Sequence, residues 1–236
     1  MALGTVLGVD GASGGWFAVA LDGSEWSCRL FGSFDALWNE YDCAERLLVD
    51  VPIGLPEDAP RTCDREARDR LGPRGSSVFP VPTRAALARE DREAASAVNE
   101  RLSGRGLSIQ SWALAPKIRE VDRLLRSEPR ARKSVVEAHP ELCLAELNGG
   151  DPMAHPKREP AGREERLAVL TDWYPESEAV YEHALDRFLR KEVSRDDAVD
   201  ALALAVSGAV GGLASVPETP PTDAHGLPMR IAYPAV

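Results

Sequence analysis

The sequence predicts an α/β fold in which a mixed five-stranded sheet, three antiparallel strands followed by two parallel ones, is flanked by helices. Three apolar segments near the N-terminus are separated by short glycine-containing turns, which is the pattern of an antiparallel meander. A helical segment and a further apolar strand come next. A strand, a helix and another buried strand in succession imply a parallel crossover.

The strands of the meander are TVLGVD, which ends at Asp10, then WFAVAL after the turn GASGG, and WSCRLF after a second glycine turn. Ser33 is placed to cap the helix FDALWNEY. The segment RLLVDVPIGL then supplies a fourth, apolar strand that ends at Asp50. KSVVEAHPEL is predicted as the fifth strand, with Glu137 and His139 on the face opposite to their apolar neighbours.

The segment between the fourth and fifth strands differs in composition, being rich in Arg and Pro. Helices are predicted near Thr62–Arg70, Thr83–Asn99 and Pro116–Arg126 in this segment, and around Glu164–Asp172 and Ser177–Arg190 after the fifth strand. We therefore predict one domain over residues 1–215 with a helical insertion, or cap, at about 55–133. Residues 216–236 are predicted to form a Pro-rich tail that lies extended on the surface.

The overall composition excludes several classes of protein. The 236 residues are 44% hydrophobic and 28% charged, as in an ordinary globular protein, and no apolar run approaches the roughly 20 residues of a membrane span. The net charge of −10 argues against a protein that coats nucleic acid indiscriminately. The first residues lack a basic region and a cleavage site, and the four cysteines are scattered. We expect a cytoplasmic protein with reduced thiols and no membrane partner.

Carboxylates mark the predicted functional site. Asp10 and Asp50 lie side by side if the first and fourth strands are neighbours, and Glu137 follows on the fifth strand. Asp197 and Asp200 share one face near the start of the apolar helix DDAVDALALA. Such a cluster cannot ionise without counter-charge. Mg²⁺ or Mn²⁺ would provide it, and two such ions can promote phosphodiester hydrolysis.

Four of the five carboxylates also have a structural interpretation. Ser194-x-x-Asp197 fits a capping box, Asp10 can begin a turn, and Glu137 can be an edge-strand charge. Asp200 lies too far into the helix for capping, which leaves a partner such as a buried Arg as the alternative to a metal. Asp50 is harder to explain structurally, because it interrupts an otherwise apolar strand.

Several separated motifs together resemble a known family: GVDGASGGW, LLVDVPIGLP, SSVFPVPTRAAL, KIREVD and EAHPELC. They resemble domain of unknown function 429, a predicted nuclease family of the RNase H-like superfamily. The last helix also resembles the closing helix of Holliday-junction resolvases. The resemblance implies that Asp10, Asp50, Asp197 and Asp200 are metal ligands and catalytic residues, with Glu137 as a further catalytic candidate. It also implies a cofactor of Mg or Mn, as a two-metal site.

Substrate contacts are expected from the insertion and the fifth strand. Residues 101–133 carry nine bases and three acids, which indicates either a solvated helix face or an anion-binding surface. Arg84, Lys117 and Arg119 are candidates for holding phosphate, and Trp112 for stacking on a base. His139 is a further candidate because it lies close to Glu137.

Three functions from different classes are compatible with these features. The first is a metal-dependent phosphodiester hydrolase whose partner is nucleic acid or a nucleotide-like phosphodiester. The second is a phosphotransferase of the actin or sugar-kinase type, which needs a second domain and a second phosphate loop. The third is a non-catalytic nucleotide- or nucleic-acid-binding module on the same fold. The oligomeric state is left open by the sequence.

Overall fold

Five strands form the main sheet of the computed structural model, which describes residues 4–236. They are β1 (Val6–Ala12), β2 (Gly15–Asp22), β3 (Glu25–Phe31), β4 (Arg46–Val49) and β5 (Val135–Glu137). Their order across the sheet is β3-β2-β1-β4-β5, with antiparallel pairing from β1 to β3 and parallel pairing of β1, β4 and β5. The predicted fold class, a mixed α/β sheet of this kind, is confirmed.

Helices surround the sheet on both faces. They are α1 (Phe34–Tyr41), α2 (Thr62–Leu71), α3 (Arg84–Leu87), α4 (Arg92–Ser103), α5 (Ile109–Ala113), α6 (Ala115–Ser127), α7 (Ala131–Ser134), α8 (Pro140–Leu147), α9 (Pro160–Trp173), α10 (Ser177–Arg187) and α11 (Arg195–Ala209), with a 3-10 helix over Gly72–Ser77. Six of these helices, α2 to α7, lie between β4 and β5 in the chain, where the insertion was predicted. Within residues 4–236, no helix is long and apolar enough to cross a membrane.

The two faces of the sheet bury different helices because side chains alternate along each strand. Leu7, Val9 and Trp16 pack in one cluster with α1 and α6. Phe17 and Val19 point to the other face, where they pack with α9, α10 and α11. The central strands are therefore buried on both sides, which explains their almost unbroken apolar sequences.

α11 approaches β1 unusually closely because the contact is made by glycine. A Cβ atom on Gly8 would lie 2.0 Å from the carbonyl oxygen of Ala201 and 2.2 Å from the amide nitrogen of Ala205. The small residues of the segment DALALAVSGA in α11 likewise allow the backbones of the helix and the strand to approach closely. Because Asp10 is two residues beyond Gly8, its side chain leaves β1 on the face covered by α11.

Three details of the sequence prediction are wrong. The segment KSVVEAHPEL is a strand only over Val135–Glu137, because α8 begins at Pro140. The helix predicted over Thr83–Asn99 is two helices, α3 and α4, separated by a break before the N-cap Asp91, whose side chain accepts from Ala94 N. The tail is not an extended wrap, because β6 (Gly212–Val216) and β7 (Ile231–Ala235) pair as an antiparallel sheet. Ile231 and Ala232 are buried, so apolar burial anchors this segment.

Candidate active site

A cavity of about 320 Å³ lies at the carboxyl ends of the parallel strands β1, β4 and β5. The elements that follow β4 and β5, the insertion and the loop before α9 all contribute to its walls. Its polar lining includes Asp10, Asp50, His139, Lys157 and Asp200. Ligand sites of open α/β sheets commonly lie outside the carboxyl ends of the strands, so this position is the expected one.

Three elements bring three carboxylates to this cavity. Asp10 belongs to β1, and Asp50 follows β4 directly, with its backbone N–H donating to Val9 O over 3.0 Å. Asp200 lies in the second turn of α11 and is buried. The parallel pairing of β1 with β4 sets the first two side by side. The close packing of α11 on Gly8 places Asp200 next to Asp10 and Asp50.

The carboxylates raise one another's proton affinity. Burial, followed by the charges of Asp200, Asp50 and Asp197, holds the pKa of Asp10 well above its usual value. Burial also raises the pKa of Asp50 and raises that of Asp200 to about 6, although Lys157 opposes both shifts. The site therefore carries more negative charge than its own cations neutralise.

Lys157 is the counter-charge in direct contact with this group. Its Nζ donates to Asp200 Oδ2 over 2.5 Å. The pKa of Lys157 is raised because the attraction of Asp200, Asp50 and Asp10 outweighs the effect of burial. The Lys157 side chain is 39% exposed, whereas that of Asp200 is 4% exposed. Its ammonium therefore has a path to solvent that the carboxylate lacks.

The residues present fit a divalent cation in their chemistry. The donors are carboxylate oxygens, which Mg²⁺ and Mn²⁺ prefer. Asp200 Oδ1 is buried without a hydrogen-bond partner, which is a costly state for a carboxylate oxygen. Among residues 4–236, however, no three or more His, Cys, Asp or Glu side chains are already arranged to hold a metal ion. A cation that binds both oxygens of Asp200 would have to displace Lys157 from Oδ2, whereas a cation on Oδ1 alone would lie beside the Lys157 ammonium.

Asp197 forms the predicted capping box instead of lining the cavity. Ser194 Oγ accepts from Asp197 N over 3.1 Å, and Ser194 N donates to Asp197 Oδ2 over 2.9 Å. The Ser194 hydroxyl also donates to Asp197 Oδ1. Both carboxylate oxygens are thus engaged at the start of α11. Asp197 contributes its charge to the neighbourhood of Asp10 but offers no unengaged oxygen.

Glu137 belongs to a buried ion network. Its two oxygens accept from Arg61 Nη2 and Nη1 over 2.6 and 2.7 Å, and Ile53 N donates to Oε2 over 2.6 Å. Arg61 also binds Asp64 and the carbonyl oxygen of Ile53. β5 is an edge strand of the sheet, as the edge-strand interpretation of Glu137 expects, but the Glu137 side chain is buried and paired. The network joins β5 to α2 and leaves Glu137 fully occupied.

The structure separates Arg84 from the acidic cluster. Arg84 donates to both oxygens of Asp122 over 3.0 Å and to Asp223 over 2.5 Å. It lines a different cavity, of about 510 Å³, between α3 and α6. Lys117 is nearer to the cluster: Asp10 and Asp197 act on its charge, while burial is the largest effect and lowers its pKa. Its ammonium donates to Gly15 O and lies 4.3 Å from the centre of the Trp16 ring.

Arg119 and Trp112 contact each other. The Arg119 guanidinium lies 5.1 Å from the Trp112 ring centre and donates to the carbonyl oxygens of Leu87 and Arg89. These contacts tie α6 to α3, and neither residue lines the carboxylate cavity.

His139 does line the cavity, beside Asp50. It is the N-cap of α8, where its Nδ1 accepts from Leu142 N over 3.4 Å. A neutral imidazole that accepts at Nδ1 carries its proton on Nε2. In this tautomer His139 can donate a hydrogen bond through Nε2.

Sequence reasoning missed two basic residues that bind carboxylates of the cavity. Lys157 binds Asp200, and Arg61 binds Glu137. Lys157 stands in the polar stretch NGGDPMAHPKREPAG, and Arg61 in a Pro-rich loop. Neither segment has a periodicity that predicts a buried contact. The structural alternative for Asp200, a partner such as a buried Arg, was the nearest signal, but the partner is a partly exposed lysine from the loop before α9.

Comparison with known proteins identifies the family of this chain. It belongs to the family described as "Protein of unknown function (DUF429)", whose model matches residues 8–222. Neither the curated proteins nor the solved structures include a match to the chain.

Proposed function

We propose that this protein is a metal-dependent phosphodiester hydrolase with its active site at Asp10, Asp50 and Asp200. The observation that carries the proposal is the convergence of three carboxylates from three elements on one cavity, with a single lysine in contact and one buried oxygen unpartnered. Strand ends and the first turns of α11 contribute the acids, which agrees with the resemblance to the RNase H-like superfamily.

The residues of the chain have distinct roles in this proposal. Asp10, Asp50 and Asp200 would hold Mg²⁺ or Mn²⁺, and a bound divalent cation would supply activation of water and stabilisation of the leaving oxygen. Lys157, released from Asp200, would remain beside the substrate as a cation for a phosphate oxygen. The Nε2–H of His139 would donate to another phosphate oxygen.

The repulsion between these carboxylates also supports a functional site. Buried carboxylates that repel one another destabilise a fold, and a site maintained against stability is typical of function. A purely structural role for Asp200 would instead be expected to leave both oxygens hydrogen-bonded.

The test is hydrolysis of bis(p-nitrophenyl) phosphate and of short oligonucleotides with Mn²⁺, with Mg²⁺ and with EDTA. We expect turnover with either metal, none with EDTA, and a loss of at least about 100-fold in Asp50→Asn. Asp58→Asn, which removes an equivalent charge at an exposed position, is the matched control. Equal activity in EDTA and in Mn²⁺ would refute the metal-dependent mechanism.

A second candidate is a non-catalytic nucleotide- or nucleic-acid-binding module. The pairing of Lys157 with Asp200 favours it, because this contact already supplies the cluster with one cation. This candidate predicts ligand binding that is insensitive to Mn²⁺, whereas the hydrolase requires Mn²⁺ to bind at the carboxylates. The phosphotransferase is less well supported, because residues 4–236 contain a single five-stranded sheet.

A further inference from the structure

The cavity that contains the carboxylates is lined by both polar and apolar residues. The apolar residues include Val51, Pro52, Val78, Phe79, Leu114 and Ile231. A volume of about 320 Å³ lies at the small end of the range of about 300–1,000 Å³ for sites that enclose a small ligand. The space beside the carboxylates therefore suits a compact ligand with both an anionic and an apolar part.

Phe79 contributes an aromatic ring to this lining and is exposed. The residue is 42% accessible, so its ring is available to a ligand in the cavity. The preceding residue is fixed, because Arg68 donates to Val78 O through Nε and Nη2 over 2.9 and 2.7 Å. Pro80 restricts the backbone of Phe79 itself. The ring is thus held at the cavity on an anchored segment, which lowers the entropic cost of stacking a planar group on it.

The cations of the cavity are too few for a long polyanion. Arg61 is 3% exposed and is fully engaged with Asp64, Glu137 and Ile53 O. Lys157 already contacts Asp200, and Arg158 is the remaining basic residue of the lining. A protein that follows a nucleic-acid backbone neutralises many phosphates, typically with a basic groove. With a divalent cation bound at the carboxylates, Lys157 and Arg158 could contact one or two phosphate groups, far fewer than a nucleic-acid backbone presents.

The walls also come from several separate parts of the chain. The insertion contributes Ser77, Val78 and Phe79, the loop before α9 contributes Lys157 and Arg158, and the C-terminal strand contributes Ile231. A duplex has to reach a reacting site across an open surface, whereas this site is bounded on several sides.

From these observations we infer that the site takes a single nucleotide-sized phosphodiester whose planar base stacks on Phe79, in preference to continuous duplex nucleic acid. This inference rests on the proposed function for the reaction, but the binding of the nucleotide can be measured separately. The phosphate lies toward Asp10, Asp50 and Asp200, and the base lies toward the apolar lining.

The inference is tested with thymidine 5′-monophosphate and methyl phosphate, which carry the phosphate with and without the base and which, as monoesters, are not cleaved by a phosphodiesterase. Their binding is measured by calorimetry with Mg²⁺ present. We expect Phe79→Ala to weaken binding of the nucleotide about tenfold, the effect of losing one base–aromatic stack, and to leave binding of methyl phosphate within twofold. Phe79→Tyr keeps an aromatic ring and should bind the nucleotide as the wild type does. Ile109→Ala, at a residue 72% exposed and outside the cavity, is the control.

Hydrolysis supplies the second arm, in which thymidylyl-thymidine is compared with a 20-base-pair duplex at equal bond concentration. Faster cleavage of the dinucleotide supports the inference, and equal or faster cleavage of the duplex overturns it while leaving a hydrolase in place. Unchanged nucleotide binding in Phe79→Ala also overturns it. Phe79-dependent nucleotide binding without hydrolysis of either substrate would instead support the nucleotide site and refute the hydrolase.

Discussion

Among the charged groups that line the cavity, two differ in how completely their atoms are paired. In the first group, Arg61 contacts Asp64 and Glu137, and both oxygens of Glu137 accept hydrogen bonds. In the second, formed by Asp10, Asp50 and Asp200, Lys157 contacts Asp200 and Gly11 N donates to Asp10 Oδ1 over 2.7 Å, while Asp200 Oδ1 has no partner among residues 4–236.

The difference separates charges that hold the fold from charges available for chemistry. A buried carboxylate whose donors are all in place is costly to disrupt, because removing one partner leaves the other uncompensated. A cluster of carboxylates that lacks counter-charge destabilises the fold, and binding of an external cation would reduce that destabilisation. Pairing, and not burial or the number of acids, therefore distinguishes the candidate active site from the network beside it.

The largest expected effect is on the paired group. Arg61→Met leaves Glu137 and Asp64 buried without their cation, so we expect the free energy of unfolding to fall by about 3–5 kcal/mol. Denaturant titration measures it, in EDTA and in Mg²⁺. Arg29→Met is the matched control, because the Arg29–Glu40 pair is 48% and 46% exposed and should contribute about 1 kcal/mol or less. A loss below 1 kcal/mol in Arg61→Met would show that the pairing is not structural.

The next effect distinguishes activity from stability at Asp200. Asp200→Asn removes a charge whose ionisation is opposed by burial, so the metal-free protein at pH 8 should be at least as stable as the wild type. Hydrolysis and Mn²⁺ binding should fall by at least about 100-fold. Thermal melts in EDTA and in Mn²⁺, together with activity assays, measure both, with Asp172→Asn as an exposed control. A loss of about 3 kcal/mol in EDTA would mean that Asp200 is structural.

A smaller effect is expected at Lys157, which competes with a metal for Asp200. Lys157→Met should strengthen Mn²⁺ binding by about tenfold, equivalent to about 1.4 kcal/mol, because no ammonium has to be displaced. The same change should destabilise the metal-free protein by leaving three carboxylates without a contacting cation. Electron paramagnetic resonance of free Mn²⁺ measures the affinity, with Lys191→Met as an exposed control. Weaker Mn²⁺ binding in Lys157→Met would contradict this competition.

The smallest effect concerns the fully paired Asp223, which joins the C-terminal segment to Arg84. Burial opposes its charge, but the backbone N–H groups of Leu227, Leu55 and His225, with Arg84, outweigh burial and lower its pKa. Its contribution to stability is therefore present above the ordinary carboxylate pKa and is lost as the pH falls through the lower folded-state value. Asp223→Asn should cost about 1–2 kcal/mol at pH 7 and progressively less below about pH 4. A difference that does not change between pH 7 and pH 3 would contradict this account.

The sequence by itself determined the main sheet and the positions of its acids. Glycine turns, apolar runs and the Ser33 cap act locally, so the five strands, α1 and the start of α11 near Asp196 could be predicted from them. The proximity of Asp10 and Asp50 could then be predicted as well, because residues at the ends of adjacent parallel strands must lie together. The capping box of Asp197 depends on residues only three apart, so it could also be predicted from the sequence. Of the two roles predicted for Asp197, capping box and metal ligand, the capping box is present in the structure.

Only the tertiary structure decided which charges are paired. Lys157 reaches Asp200 across 43 residues, Arg61 reaches Glu137 across 76, and Arg84 reaches Asp223 across 139. No spacing rule connects residues so far apart in loops without periodicity, which is why Arg84 was predicted to hold phosphate and Lys157 was not predicted at all. The pairing of a tail strand with β6 was missed for the same reason, since prolines argue against a strand locally while burial of Ile231 is a property of the folded chain.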